Sequence, residues 1–540
     1  MSRQTQQLHP TGTRRFKPTH QTRLTAVART APLKERVEAL EEEASKLALL
    51  LEMSRSLSSD LELDEVMGLI VDHASRIMGC DRSSVLLLDK DKHELYALIA
   101  QGLDTQELRF SAGSGIAGYV IREGLGVNVP DAYKDEHFNQ NIDKATGYRT
   151  VSVLCLPLQD RRGETLGVIE CLNKKGPEDR PVPFTTKDEV VLGAVASQAA
   201  VYLVNSALRR RMDLLFESFV EAISRAIDDR DPCTSGHSRR VTQLSMNLAF
   251  AVHNCKVPPF EQITYTRARM RQLRYAGLLH DVGKIGVREH ILSKAGRLSP
   301  PEMEAIRQRF VALQEKSRAD CLARALAEHL PAAQVLDQGH ARLCADLTAA
   351  QAVIERTCTT SFLPDNDLQV IEAAGARGWI NPAEQHHLSV RKGNLTPEEW
   401  EDMKSHVTKS YRMLIQIPWP PELKDVPEVA YSHHERNDGS GYPRSLRSDA
   451  IHFDGRIMAI ADMYDALVAT DRPYKKSIPH DKARQILMDE AAHGRLPVEL
   501  VQIFFSAECY KLPEQGAQAG SSFVLPAAGS GMLPATRVLK

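Results

Sequence analysis

The chain has 540 residues, a formal net charge of −2, 42% hydrophobic and 26% charged residues, a balance typical of soluble globular protein of roughly two to four domains. Near-neutral charge excludes a general nucleic-acid binder, which is strongly basic, and nine cysteines without CxxC spacing exclude a disulfide framework or structural zinc module. No apolar run approaches the ~20 residues that cross a bilayer, and no apolar segment follows the basic N-terminus, so the expectation is a cytoplasmic protein with no membrane span.

Residues 1–32 read as a disordered basic arm, since residues 1–34 hold seven Lys/Arg, no acid and no periodic pattern. From Leu33 the residues Val37, Leu40, Ala44, Leu47 and Leu51 alternate at four and three, which predicts a short coiled-coil helix over 33–59. Two readings stay open there: a parallel homodimer contact, or an amphipathic helix packed on the next domain. Residues 60–205 read as an α+β domain. A helix is predicted over Asp64–Met78 and strands over Ser84–Leu88, Leu95–Ala100, Val153–Pro157 and Leu166–Leu172, which implies an antiparallel sheet flanked by helices. A connecting helix over 206–230 extends that domain's last helix, because neither Gly nor Pro occurs between Ala194 and Asp231. Val201, Val204, Leu208, Met212, Leu215, Phe219, Ala222 and Ala226 recur along it. Such a rod either transmits a rotation or register shift between paired copies or serves as a spacer. Residues 212–512 read as an all-α domain, and the tail 513–540, rich in Gly, Ala, Ser and Pro, as disordered.

The first domain carries a signature. Gly115-Ile-Ala-Gly-Tyr-Val120, Val129-Pro-Asp-Ala-Tyr133, Thr146-Gly-Tyr-Arg-Thr150 and then Asn173-Lys174, Phe184 and Asp188-Glu189 resemble the GAF domains of cyclic-nucleotide phosphodiesterases and adenylyl cyclases. That resemblance implies a sensor pocket for cyclic AMP or cyclic GMP, with Asn173, Lys174, Phe184, Asp188 and Glu189 holding its lid together. The alternative is a domain that only dimerises.

The helical domain carries a second. His237 stands in Thr-Ser-Gly-His-Ser-Arg-Arg-Val, His280-Asp281 in Leu-Leu-His-Asp-Val-Gly-Lys284, His406 in Met-Lys-Ser-His, His433-His434 before Glu435 and Gly-Tyr442-Pro443, and Asp462 in Ala-Ile-Ala-Asp-Met-Tyr. Together they resemble the HD-GYP branch of the HD phosphohydrolases. One phrase departs from that pattern. Lys294-Ala-Gly-Arg-Leu-Ser-Pro-Pro-Glu returns as Lys392-Gly-Asn-Leu-Thr-Pro-Glu-Glu, bracketing an inserted helical segment of about 300–391. His386-His387 within it imitates a ligand pair, and we assign it to a surface loop.

Imidazole with carboxylate and no thiolate suits iron or manganese better than a closed zinc site. The resemblance implies two divalent transition metal ions held by His237, His280, Asp281, His406, His433, His434 and Asp462. Asp281 would bridge the two ions, which would activate a hydroxide against a phosphodiester. Some family members hold a third ion on a carboxylate whose place falls near Cys233 here. His280 and Asp281, about 100° apart on a helix, would face different ions. Lys284, Arg472 and Lys475 are the phosphate-binding candidates; Asp281 and Lys284 are the residues assigned to catalysis. The function so implied is a GAF-regulated cyclic di-GMP phosphodiesterase on a homodimer, either stopping at pGpG or going on to GMP. Its rivals are a hydrolase of another cyclic nucleotide, and a silent receptor or scaffold that binds nucleotide or a diguanylate cyclase.

Overall fold

The computed structural model describes residues 14–16, 63–97, 108–231, 236–329, 339–469 and 477–512. The expected coiled coil of 33–59, the tail 513–540, Cys233, Arg472 and Lys475 lie outside them. The chain divides between Leu215 and Phe216 into two compact units.

The first unit is the expected α+β domain. Its strands are β1 (Arg14–Phe16), β2 (Cys80–Asp89), β3 (Glu94–Ala97), β4 (Leu108–Ser111), β5 (Gly126–Val129), β6 (Val153–Gln159), β7 (Thr165–Lys175) and β8 (Pro181–Val182). They form one antiparallel sheet in the order β1-β5-β6-β7-β2-β3-β4, with β8 added to β7. β1 is a departure, because the arm read as lacking a strand period supplies it.

Period-two alternation assigns the two faces. Leu154, Leu156 and Leu158 of β6 meet Ile169 and Cys171 of β7 under two helices, α1 (Leu63–Met78) and the N-terminal part of α4 (Thr186–Arg230). Val153, Cys155 and Val168 point the other way, against Ile116, Ala117 and Val120 of α2 (Gly115–Glu123). A further helix, α3 (Gln140–Thr146), lies between β5 and β6 in the chain. By length and composition α4 is apolar enough to cross a membrane; here its Leu192, Val195, Ala199 and Leu203 are buried in the core under the sheet.

The second unit is helical. It holds α5 (His237–Asn254), α6 (Arg267–Leu279), a 3-10 turn (Val282–Gly286), α7 (Glu289–Leu292), α8 (Pro300–Ala327), α9 (Gly339–Cys358), α10 (Asp365–Ala376), α11 (Pro382–Leu388), α12 (Pro397–Leu414), α13 (Val426–Tyr431), α14 (Phe453–Val468), α15 (His480–Ala492) and α16 (Val498–Ser506). One core joins α5, α6, α13, α14, α15 and α16. A separate core, with Ile306, Phe310, Leu347, Ile354, Ile371 and Leu388, joins α8 to α11.

The repeated phrase has a physical reading. Ser299, Asn381 and Thr396 each build a capping box with a Glu three residues on and a Pro in the first turn, so three helices start by the same device. Lys294 does not pair with Glu302 of its own copy. Its ammonium meets Glu399 of the second copy at 2.6 Å, and Asn394 donates to the Lys294 carbonyl. The inserted segment therefore leaves and rejoins the domain at one place. Arg297, fully buried, seals that neck by donating to the carbonyls of Val390, Thr357 and Thr360.

Candidate metal centre and sensor pocket

Five of the seven ligand candidates lie at ends of helices or in turns. His237 opens α5 behind Gly236, whose φ of 69° is left-handed. His280 caps α6, and Asp281 precedes the 3-10 turn. This corrects the expectation that both sit on a continuous helix: they separate because the helix ends between them. His433 and His434 follow α13, and Asp462 lies within α14. His406 lies inside α12.

Gly283 makes the turn fit. A Cβ there would stand 2.0 Å from the His406 carbonyl oxygen, so only glycine permits this approach of turn and helix. Its N–H donates to Ser410 Oγ at 2.8 Å. Asp281 Oδ1 is thereby held 3.3 Å from His406 Nε2, while Oδ2 lies 3.3 Å from His280 Nε2 and 3.9 Å from His237 Nε2.

Three imidazoles share one arrangement. The Nδ1–H of His280, His406 and His433 donates to the carbonyl three residues back, that of Gly277, Met403 and Ala430, at 2.7, 2.6 and 2.6 Å. This tautomer leaves Nε2 as a bare lone pair. Each of those Nε2 atoms is buried without a hydrogen-bond partner among the described residues. An unpaired buried polar atom costs about 1–3 kcal/mol, and several converging on one point are relieved by a metal ion. The donor set fits such an ion. His237, His280 and Asp462 form one group of mutually close ligand atoms and His406, His433 and His434 a second, with Asp281 grouped to His280 and His433.

Charge supports the same reading. Burial, then neighbouring imidazoles, pushes His433 well below its ordinary pKa, and burial pushes His434 down to about 3, so both remain neutral lone-pair donors. Burial also opposes ionisation of Asp281 and Asp462. The nearby His280 and Lys284 outweigh it at Asp281, as does the His237 hydrogen bond at Asp462, and both carboxyls are held below the usual range.

Several of the side chains that hold the ligands were not singled out in the sequence. Asp465 accepts from His237 Nδ1 on Oδ2 at 2.8 Å and from Arg240 Nε on Oδ1 at 2.7 Å. Asp465 follows Asp462 by three residues on α14, a spacing that puts both on one face and was the available clue. Lys284 lies 2.8 Å from Asp281 and 3.1 Å from Asp231. Asp231 directly follows α4. Arg230 donates to the Ile285 and Val287 carbonyls, and Asp228 accepts from Ser238 at 2.8 Å. The C-terminal end of α4 is thus fastened to the turn that carries Lys284.

The loop after His434 is folded by Glu435, whose two oxygens accept from the Arg444 and Leu446 amides at 2.8 and 2.9 Å. It lays the Tyr442 ring over His434, centroids 4.7 Å apart. His386 and His387 lie in α11, not in a loop, and pair with Glu398 and Glu302 at 3.2 and 4.0 Å; neither joins a ligand group.

In the first unit the five motif residues form a lattice of bonds. Asn173 Oδ1 accepts from the Val151 and Ser152 amides, and its Nδ2 donates to Tyr148 Oη and the Arg149 carbonyl. Lys174 pairs with Asp188, which also accepts from Thr185 N and Oγ1 at 2.7 Å. Asn128 links the Phe184 carbonyl to Glu189. None of the five lines the nearby cavity of about 80 Å³. Its walls are Leu86, Ile116 and Val153 with Asp143, Thr150 and Glu170. Asp143 accepts from Thr150 N and Oγ1, while burial raises the pKa of Glu170, whose carboxyl accepts from Ser84 at 2.9 Å. Both carboxyls went unnoticed in the sequence: Glu170 is a single acid in an apolar run, and Asp143 is one polar residue among many in Asn-Gln-Asn-Ile-Asp-Lys.

Family comparison agrees with these two units. A GAF domain model matches residues 62–203 and an HD domain model residues 320–499, so the chain carries a GAF domain followed by an HD domain. The HD match contains His406, His433, His434 and Asp462; His237, His280 and Asp281 lie upstream of it and join the site through the fold. The chain is 44% identical over 123 residues to a cyclic di-GMP phosphodiesterase of Thermotoga maritima, covering 22% of this chain and 32% of that protein. It is 32% identical over 169 residues to the dual 3',5'-cyclic-AMP and -GMP phosphodiesterase 11A of Takifugu rubripes, covering 29% of this chain and 18% of the relative. A similar match, 32% over 182 residues, is found with dual phosphodiesterase 11 of Drosophila melanogaster, covering 31% and 12%. The chain thus spans a third or less of these curated relatives. Among solved structures, the GAF domain of an Acinetobacter phosphoenolpyruvate-protein phosphotransferase matches at 21% identity and TM-score 0.27, over 31% of this chain and 98% of that one.

Proposed function

We propose that this chain is a metal-dependent cyclic di-GMP phosphodiesterase of the HD-GYP type, governed by its GAF domain. The observation that carries the reading is the convergence of His280, His406 and His433 Nε2, all buried and unpartnered, around Asp281. The donor set favours two divalent ions, iron or manganese, held by His237, His280 and Asp462 on one side and His406, His433 and His434 on the other, with Asp281 between. When bound, such ions supply Lewis-acid activation of water and neutralise phosphate charge. The chain's own groups do the rest. Asp465, backed by Arg240, orients His237. Lys284 presents an ammonium to a phosphate oxygen beside Asp281; burial disfavours its charge, yet Asp281 and Asp231 raise its pKa above the ordinary value. Tyr442 shields His434 from solvent.

The bacterial relative's name supports cyclic di-GMP as substrate, whose ring opening gives linear pGpG. The animal relatives' names support cyclic AMP or cyclic GMP as the GAF ligand, and also a second reading in which one of them is the substrate. One experiment separates these: iron- or manganese-reconstituted protein is incubated with cyclic di-GMP, cyclic GMP and cyclic AMP, beside His280→Ala/Asp281→Ala. Linear product from cyclic di-GMP alone, lost in the variant, supports the proposal. Binding of cyclic di-GMP without any linear product would replace it with a receptor.

A further inference from the structure

The repeated phrase puts different side chains at one position. In the first copy the fourth residue of the capped helix is Met303, buried in the core of the inserted segment; in the second it is Trp400, 46% exposed. The capping box is the same in both, so starting the helix does not call for an exposed indole. A tryptophan left half in water forgoes much of the burial that stabilises such a side chain.

Its neighbours say what it faces. Trp400 meets Tyr442, with ring centroids 6.2 Å apart and planes at 77°, and Tyr442 lies over His434. Tyr442 is fixed there, because its N–H donates to the His434 carbonyl at 3.1 Å. A Cβ on Gly441 would collide with the Arg436 backbone nitrogen, so only glycine lets the loop fold back this tightly. The ligand group opens toward the same side. His434 and Asp462 have side chains 25% and 15% exposed, while His237, His280, Asp281, His406 and His433 are buried. The corner formed by indole and phenol therefore stands at the mouth. It is also balanced in charge: Lys404, one turn beyond Trp400 and 5.9 Å from the Tyr442 ring, is paired with Glu401 at 2.6 Å. A neutral aromatic corner suits a planar base rather than a phosphate, and it leaves the phosphate to the ligand group and Lys284.

Resting on the cyclic di-GMP reading for the ligand, we infer that Trp400 is a base-binding residue: its indole stacks one guanine of the substrate, with Tyr442 as the wall against the edge of that base. Base recognition is thereby separated from the phosphodiester chemistry, and α12 carries both, through Trp400 in its first turn and His406 further along.

The test uses the full chain loaded with manganese. Trp400→Ala is expected to raise KM for cyclic di-GMP by about 10–100-fold, the loss of one base stack, with kcat within about threefold of wild type. Trp400→Phe keeps a stacking face and is expected to stay within about fivefold of the wild-type KM. Manganese content stays at the wild-type level in both variants. Mixing with cyclic di-GMP, followed by stopped-flow fluorescence, quenches the tryptophan emission of wild type, because a stacked guanine quenches the indole it covers, and leaves that of Trp400→Phe unchanged. A wild-type KM in Trp400→Ala, or quenching that persists in Trp400→Phe, overturns the inference and leaves the proposed function standing. Loss of manganese and kcat together in Trp400→Ala makes the indole a structural support, and the inference fails. If Trp400→Ala lowers the sedimenting mass without changing KM, the indole is a contact between copies and the inference fails as well. Wild type that neither binds nor hydrolyses cyclic di-GMP overturns the proposed function and the inference together.

Discussion

Asp231→Asn removes one charge beside the metal centre, preserves the side-chain shape and touches none of the seven ligand candidates. Its carboxylate lies 3.1 Å from the Lys284 ammonium. At an effective dielectric of about 20, their attraction is roughly 5 kcal/mol. Lys284 keeps Asp281 at 2.8 Å, so the loss belongs at the lower end of the about 3–5 kcal/mol that breaking a buried pair costs, near 3 kcal/mol. All three tryptophans, Trp379, Trp400 and Trp419, fall in the second unit. Urea unfolding followed by their fluorescence therefore reads that unit alone.

The paired variant Lys284→Met completes a double-mutant cycle. If Asp231 acts through Lys284, the double variant loses about 2 kcal/mol less than the sum of the single losses. A second consequence follows at the metal. With Asp231 gone, the ammonium has Asp281 as its remaining carboxylate partner among these two, and it competes with the ion for that oxygen. Metal affinity, measured by competition with a chelating dye, falls by about 10–100-fold, the usual effect of losing a group that supports the ligands. Additive single effects within about 0.5 kcal/mol, or an unchanged unfolding midpoint in Asp231→Asn, would refute the reasoning.

Asp465→Asn leaves His237 without the carboxylate that orients it, and metal affinity falls by about 10–100-fold while the fluorescence-detected fold persists. Stripping the metal with a chelator lowers the thermal midpoint of the second unit, and adding iron or manganese at 100 times its dissociation constant restores about 2.7 kcal/mol; no shift would remove the metal from the site. In the first unit, burial works against the Asp188 charge, but Lys174 and Thr185 hold its carboxyl below the usual range. Its stabilisation is therefore complete above the unfolded-state carboxyl pKa of about 4 and is lost as pH falls through the depressed folded value. Asp188→Asn should cost about 3 kcal/mol at pH 7 and far less in acid, as measured by thermal unfolding across pH. Arg297→Ala leaves the Val390, Thr357 and Thr360 carbonyls without their donor, costing about 3–5 kcal/mol; amide hydrogen exchange should rise across residues 300–388 and much less in α5 and α6.

What could be read from the chain follows from the range of each interaction. Strands announced themselves where alternation is local, as in Val153–Pro157, observed as Val153–Gln159. The short strands over Leu108–Ser111 and Gly126–Val129 did not, since four residues carry too little periodicity. Each candidate metal ligand was legible only inside its motif. That His237 stands 3.1 Å from Asp462, a residue far along the chain, is set by the packing of α5 against α14. The side chains that hold ligands in place were less legible still. Asp465 and Asp231 resemble ordinary helix-end acids until the partner, supplied by a distant element, is known.

The position of the insertion shows why a large addition does not erase the centre. A loop's closure cost rises only slowly with its length, so the added helices cost little if both ends stay where the domain wants them. Lys294 with Glu399, and Asn394 with the Lys294 carbonyl, fix those ends together. The inserted helices bury their own core and so contribute their own stabilisation. The duplicated phrase then has a structural role in each copy: Ser299 starts the first inserted helix and Thr396 starts α12, the helix that delivers His406. Because α12 carries its own cap at Thr396, His406 reaches Asp281 through Gly283 and Ser410, along a route that passes through none of the inserted residues.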